Sequence, residues 1–312
     1  MFDITIIGAA ICDILTSPID PAKLTGGSSP AETITLQLGG DGANQAVILS
    51  RLGKKIDLLT KIGQDLTGTF LLQQLKEHKI STDHVKQAAD LDTGINIVLI
   101  DETAERSFIT NRNGSLRKLT LEDVPAEAFH QAPIISFASI FIFPDFTPAA
   151  LEKLFFHVKD AGCTLCADMT TCKNGETLED MKDALKYIDY LFPNYEEAAL
   201  LSGLTDLDDI AEVFLDYGVG CIVIKNGSKG CLIRTQTQRL EIPAVPNTNC
   251  IDTTGAGDNF VAGFLYGLSE GMSLKECGCF ANATASAAVE CIGATTGVRS
   301  LAQVQERTEN LF

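Results

Sequence analysis

The sequence predicts an α/β fold, a central mostly parallel β-sheet sandwiched by helices, and three observations carry that prediction. Short apolar runs alternate with stretches of helical periodicity along almost the whole chain. The runs are continuous instead of alternating polar and apolar, as in strands buried on both faces. No linker, repeat or shift of composition divides the 312 residues, so one domain spanning 1–312 is expected.

Taken in order, Ile4–Ile7, Ile56–Thr60, Ile134–Phe137, Thr164–Ala167, Tyr190–Phe192 and Cys221–Ile224 read as buried strands. Helical spacing covers Ala43–Leu52, Gly68–His78, Pro148–Ala161, Leu178–Leu185, Asp208–Asp216, Asn259–Leu268 and Leu274–Val289. Two stretches, about 12–38 and 93–112, break the alternation. The first holds the turn formers Ser17-Pro18 and Gly26-Gly27-Ser28-Ser29-Pro30, then the alternating Glu32–Leu38. The second reads as a hairpin of Ile95–Ile100 and Arg106–Thr110 joined by the polar Asp101–Glu105. Four short strands outside the main sheet make either a small β-sheet lid over a site or ordinary surface ribbons.

A formal charge of −17 argues against a nucleic-acid partner. An anionic substrate must then be caught by local dipoles, a few cations or a metal. No apolar run reaches membrane-spanning length and no basic leader precedes the first strand, so a cytoplasmic protein away from membranes is expected. The ten cysteines fall mostly in apolar runs and lack paired zinc-finger spacing, which reads as reduced thiols.

The run Asp252-Thr253-Thr254-Gly255-Ala256-Gly257-Asp258-Asn259-Phe260 sets a glycine-rich turn against a helix whose buried face is Phe260, Val261, Phe264, Leu265 and Leu268. Gly255 and Gly257 permit a path in which successive amides point at one spot, and the helix dipole adds positive potential there. Such a site suits a phosphate, and Asp258 beside it suits removal of a proton from an attacking hydroxyl. A plain turn with an acidic first helical turn fits the same residues. Gly39-Gly40-Asp41-Gly42-Ala43-Asn44 is a second glycine cluster opening a helix. There Asp41 and Asn44 suit sugar hydroxyls, or Asp41 simply caps. Asp13 should lie beyond the end of the first strand, where open sheets bind ligands, or in a turn. Asn194 and Glu197 fit a capping box, or face phosphates and hold a hydrated Mg²⁺. Lys225 could reach a phosphate from the Lys225–Gly230 turn, or be solvated.

In their order these motifs resemble the ribokinase-like (PfkB) family of carbohydrate and nucleoside kinases. Gly39–Asn44 is similar to its N-terminal glycine motif and Asp252–Asp258 to its C-terminal signature, with Asn194-x-x-Glu197 and Lys225–Gly230 between them. The resemblance implies an ATP-dependent kinase acting on a primary hydroxyl of a small free sugar, fructokinase- or ribokinase-like. It implies Asp258 as base and Gly255, Ala256 and Gly257 as anion hole, with Asp13, Gly40, Asp41 and Asn44 on the acceptor. Asn194, Lys225, Gly227, Gly230 and Asn282 would border ATP, with Asn282 near the base, and Glu197 would hold Mg²⁺ through water. Asp252, Thr254, Ala288, Gly293 and Gly297 match a K⁺ loop. Independently of the resemblance, exposed lid strands often pair between subunits, so a homodimer through the lid is expected. Ribokinases usually carry Lys where this chain has Asp41. Ketoacid-sugar kinases tend to carry an arginine near the strand end that here reads Asp168-Met169-Thr170-Thr171; Arg106 of the hairpin would be its substitute, or a surface residue. The alternatives are a nucleoside kinase, with Ile140–Phe146 as walls for a base, and a non-catalytic sensor, which has no use for Asp258. A dehydrogenase lacks its dinucleotide fingerprint.

Overall fold

Every residue of the first strand, β1 (Ile4–Ile7), is buried because its side chains enter two cores. Ile4 and Ile6 pack into one and Ile7 into the other, as the two-residue period of a strand requires. The same division recurs at Ile56 and Leu58 against Leu59, and at Cys221 and Val223 against Ile222 and Ile224. The computed structural model describes residues 1–19, 27, 30–101, 106–309 and 311. The expected turn formers Gly26, Ser28 and Ser29, most of the 101–105 connection and the Arg106 side chain lie outside the described residues.

The remaining strands begin with β2 (Ile11–Ser17), β3 (Thr33–Gly39), β4 (Ile56–Gly63), β5 (Val85–Ala88), β6 (Ile95–Ile100) and β7 (Arg106–Thr110). They continue with β8 (Ile134–Ile140), β9 (Thr164–Met169), β10 (Tyr190–Phe192), β11 (Cys221–Lys225), β12 (Cys231–Arg234) and β13 (Arg239–Ile242). The large sheet has the order β13-β12-β11-β10-β9-β8-β1-β4-β5. Neighbours from β11 to β5 run parallel, and β11, β12 and β13 form an antiparallel edge.

Helices cover both faces. One side carries α1 (Asp41–Arg51) and α2 (Leu66–Glu77), the other α3 (Pro148–Asp160), α4 (Leu178–Leu185), α5 (Tyr195–Ser202) and α6 (Leu207–Asp216). The last three, α7 (Ala256–Ser269), α8 (Leu274–Val289) and α9 (Leu301–Glu309), return to the side of α1. Against that face pack Val47, Phe260, Phe264 and Phe280; against the opposite face pack Leu154, Phe155, Met181 and Phe214. Phe137 meets Phe146 edge-on at 5.3 Å and Phe155 at 5.7 Å, pairs worth about 0.5–1.5 kcal/mol beyond burial. In the Ile140–Phe146 run, Ile140, Phe141, Phe143 and Phe146 enter this core, which removes them as walls for a nucleobase.

The two irregular stretches form a separate sheet of order β3-β2-β6-β7. The β6–β7 hairpin is antiparallel as expected, and β2 pairs parallel with β6. The small sheet is rooted where ligands bind open sheets, since β2 follows the end of β1 and β3 runs into α1.

Backbone contact fixes that junction. A Cβ on Gly42, in the first turn of α1, would stand 2.8 Å from the Gly8 backbone, which cannot yield. Gly→Ala in an open helix gains up to about 1 kcal/mol, but Gly42→Ala should instead destabilise by about 1–3 kcal/mol through overpacking. A urea midpoint at or above that of the wild type would contradict this contact. At its other end α1 carries Arg51, whose guanidinium donates to the carbonyls of Thr295 and, at 3.0 Å, Val298.

Candidate active site

The glycine cluster at the start of α1 works through backbone proximity. Gly40 has φ +95° and lies so close to Ala9 that a Cβ would stand 2.5 Å from its carbonyl oxygen. This brings Asp41 onto the end of β1, where its Oδ1 accepts from the amides of Ala9 at 2.7 Å and Gly42 at 2.6 Å. Gly40 is therefore the N-cap residue, and Asp41 is tied to the strand end. Its Oδ2 is buried and has no hydrogen-bond partner among the described residues. Burial raises the Asp41 pKa to about 6 against the lowering effect of the two amides and of the nearby Ser139 hydroxyl, and the charge of Asp168 adds to the rise.

Asn44, one turn along α1, donates from Nδ2 to Asp258 Oδ2 at 2.7 Å, joining positions far apart in the chain. Its Oδ1 is also buried and unpartnered among the described residues. Asp258 lies in the first turn of α7, with Gly255 as a left-handed N-cap at φ +71°. A Cβ there would stand 2.7–2.9 Å from Ala294 atoms. The N-cap glycine has no side chain to accept from the amides of the first turn of α7. Burial, then the charge of Asp41, pushes the Asp258 carboxyl up to about 8; the Asn44 hydrogen bond and Lys225 oppose the rise, while Asp168 adds to it. Asn259 follows with an anchoring role, donating to the carbonyls of Gly255 and Ala294, each at 2.7 Å.

An ammonium serves this acidic cleft. Lys225 Nζ bonds Asp168 Oδ1 at 2.7 Å and lies 3.4 Å from where a Gly257 Cβ would stand, against the first turn of α7. Asn194 and Glu197 do make the capping box, with Glu197 N to Asn194 Oδ1 and Asn194 N to Glu197 Oε2 both at 2.8 Å. Glu197 also faces the cleft electrically. Burial raises its carboxyl to about 7, Lys225 counters this, and Asp168 adds to it.

Between the large sheet and the small one lies a cavity of about 300 Å³. Asp41 and Ser139 line its inner end, and Gln37, Asp13 and Asn96 form a cross-strand row on the small sheet. A second row, Leu15, Val98 and Phe108, lies farther along, and Leu116 and Ile142 complete the apolar wall. Asp13 packs flat on Gly39, where a Cβ would come 2.0 Å from its carboxylate. No lysine or arginine lines the cavity among the described residues.

A family model described as pfkB family carbohydrate kinase matches residues 1–301. The chain belongs to the pfkB family of carbohydrate kinases. This sugar kinase is 27% identical over 284 residues to a 2-dehydro-3-deoxygluconokinase of Bacillus subtilis, covering 88% of this chain and 87% of that protein. It is 28% identical over 293 residues to a ribokinase of Staphylococcus aureus, covering 89% of this chain and 92% of the relative. The structure of Arabidopsis thaliana ribokinase complexed with ribose and ATP matches with a TM-score of 0.82 at 25% identity, over 99% of each chain.

Other positions of the kinase expected from the sequence fall in two groups. Of the residues matched to a K⁺ loop, Asp252 accepts from Thr254 N at 2.9 Å and Gly293 N at 2.7 Å. Gly297 packs against Ala288, and its carbonyl accepts from Gln303 at 2.9 Å. A side chain at 297 would meet the Ala287 carbonyl oxygen at 2.1 Å, so this backbone has room for glycine alone. Gly227 begins a short 3-10 turn over Gly227–Lys229, and Gly230 packs on Ile242, whose carbonyl would stand 2.0 Å from an added Cβ. Asn282 spends its amide on the carbonyls of Ile242 at 3.2 Å and Pro243 at 3.0 Å, pinning α8 to the end of β13. Asp168 and Asn259 were not singled out by sequence reasoning. The sequence hint at Asn259 is a polar residue opening an apolar helical run, and the structure buries it fully.

Proposed function

We propose that the protein transfers the γ-phosphoryl group of ATP to a primary hydroxyl of a small neutral sugar held in the 300 Å³ cavity. The observation that carries the reading is the pair of orphaned acceptors, Asp41 Oδ2 and Asn44 Oδ1, beside the Asn44–Asp258 hydrogen bond. Buried acceptors without donors are costly and call for a ligand rich in hydroxyls. Two such groups flanking a carboxylate, in front of an uncapped helix start, suit a sugar hydroxyl held between base and phosphate.

In this mechanism Asp258 takes the proton of the attacking hydroxyl. Amides of Gly255, Ala256 and Gly257, the α7 dipole and Lys225 stabilise charge on the transferring group. Asp13, Gly40, Asp41 and Asn44 orient the sugar, while Asn194, Gly227, Gly230 and the Asn282 region border ATP. Asp168 and Glu197 outnumber the single ammonium of Lys225, and that excess negative charge fits a divalent cation. Mg²⁺ bound with ATP supplies positive charge to its phosphates, and Glu197 would hold it through water. Asp252, Thr254 and the carbonyls of Ala288, Gly293 and Gly297 form the set for a K⁺ ion. Arabidopsis ribokinase bound to ribose and ATP supports the substrate pair.

The small sheet acts as a lid that excludes water as it closes. Its outer face exposes Ile34, Leu36 and Ile109, which supports a homodimer through the lid. No described helix is long and apolar enough to cross a membrane, and the reading places the enzyme in the cytoplasm.

The test is ADP release with ATP·Mg²⁺ against ribose, fructose, other hexoses, 2-dehydro-3-deoxygluconate and nucleosides, with and without K⁺. A neutral sugar should give the highest kcat/KM. The sugar acid should fall roughly ten- to a hundredfold behind, because its carboxylate meets Asp41 without a lysine or arginine on the described lining. Preferred use of the acid would sink the neutral-sugar assignment. No release with any acceptor would sink the kinase reading. The Leu15, Val98 and Phe108 row favours a nucleoside as the second reading, decided by the same panel.

A further inference from the structure

In the transfer just described Asp168 contributes only charge in the neighbourhood of the cation and touches no reacting group. This carboxylate near the end of β9 is 5% exposed, yet it lies within the field of Asp41 and Asp258, where a third negative charge is unfavourable. Its Oδ1 accepts from Met169 N at 2.9 Å and from Lys225 Nζ at 2.7 Å. The lysine comes from β11, so the ion pair reaches across β10. A buried pair of this kind is weak evidence for stability, since apolar residues of similar volume often serve as well. Its geometry gives it another use. A lysine side chain is long and loses rotamer entropy when it grips a phosphate, unless something has already ordered it. Asp168 fixes the far end of Lys225 beside Gly257, whose missing side chain leaves the ammonium open to the first turn of α7.

We propose that Asp168 is a positioning residue, holding the Lys225 ammonium at the start of α7 so that the cation is already ordered when the ATP phosphates arrive. The inference rests on the reading of Lys225 as a phosphate ligand and adds the group that makes it effective.

The experiment is calorimetric titration with ATP·Mg²⁺, without any sugar, on the wild type, Asp168→Asn, Lys225→Met and the double variant. Asp168→Asn should raise the ATP Kd about tenfold, equal to about 1.4 kcal/mol. Lys225→Met should raise it at least as much, and the double variant should bind no more weakly than Lys225→Met alone, because Asp168 acts through the lysine. Asp168→Glu keeps the charge and should stay within about threefold of wild type. Additive losses in the double variant, or an Asp168→Asn effect abolished by raising Mg²⁺, would show that Asp168 acts on the metal or the fold instead, and would overturn the inference. An unchanged or lower Kd in Asp168→Asn with a lowered melting temperature also overturns it. A wild type that binds no ATP·Mg²⁺ removes the functional reading and this inference together, whereas a binding wild type with additive losses removes this inference alone.

Discussion

Replacing Asp258 with Asn should lower kcat about 10³–10⁴-fold while leaving the affinity for ATP within a few-fold. The amide is close in shape, and its oxygen can still accept from Asn44, so the fold and the sugar-side hydrogen bond persist. What disappears is the group placed to receive the hydroxyl proton. The wild type should carry a matching pH signature. With Asp258 pushed up to about 8, its base form is a minor species at neutrality in the free enzyme. Because kcat/KM reports groups of the free enzyme, it should climb with pH, reach half its plateau near 8 and level off above that. Steady-state ADP release across roughly pH 5.5–9 on both proteins, at roughly 0.5-unit steps, tests the pair of statements. Turnover in Asp258→Asn within tenfold of wild type would remove the base from the mechanism, and a flat wild-type profile would remove its raised pKa.

The same carboxyls should make the protein less stable as the solution becomes more basic. Asp258, Asp41 and Glu197 all have folded-state values above the ordinary carboxylate range, at about 8, about 6 and about 7. In solution more acidic than that range each is protonated both folded and unfolded, so their favourable share is fully present. As pH rises, the unfolded chain ionises first, and the share is lost progressively until each folded value is passed. For Asp258 that loss runs from near the ordinary 3.8 to about 8. Each tenfold weakening of an acid on folding corresponds to about 1.4 kcal/mol, and solvent on the open side of the partly buried carboxyl reduces it. Asp258→Asn should therefore gain on the order of 2 kcal/mol over wild type at about pH 8 and almost nothing at about pH 4, roughly 4 °C in melting temperature. Thermal denaturation at both pH values decides the matter, and an equal Tm difference at the two would defeat the burial argument. With Asp258 as the proposed base, the stability cost would fall at the position the chemistry requires.

The large sheet was legible because strands buried on both faces leave nearly continuous apolar runs such as Ile134–Phe137, interrupted only by Ser136, and Cys221–Ile224. The edges were not legible, for the converse reason. Val85–Ala88 has no fully buried residue, Arg239–Ile242 has one, and α9 buries only Val304 among its described residues. At α2 an aspartate marks the start, since Asp65 caps Leu66 two residues ahead of the expected Gly68. In the small sheet the strands could be read, but the parallel union of β2 and β6 could not, since no local pattern encodes a pairing across some eighty residues. The site divides in the same way. Asp41, Asn44 and Asp258 each stand beside glycines that announce a close backbone approach. The Lys225–Asp168 pair joins strands separated by another strand, and nothing near Asp168 in sequence points to it. At Asn194 and Glu197 the structure decides only the first of two readings of the motif. The cap is formed, and the same glutamate lies in the field of the cleft.

Arg51 gives α1 a second attachment. The helix that carries Asp41 and Asn44 grips the carbonyls of Thr295 and Val298 at its other end, beside the loop that carries Gly293 and Gly297. Eleven residues of helix form a strut about 16 Å long. A strut transmits displacement more readily than it bends, so pressure on the loop becomes a shift in the aim of Asn44 at Asp258. Arg51→Ala, which frees that end of the strut, should therefore loosen the Asn44–Asp258 contact and lower kcat in the ADP-release assay; an unchanged kcat would show that the two ends of α1 are independent.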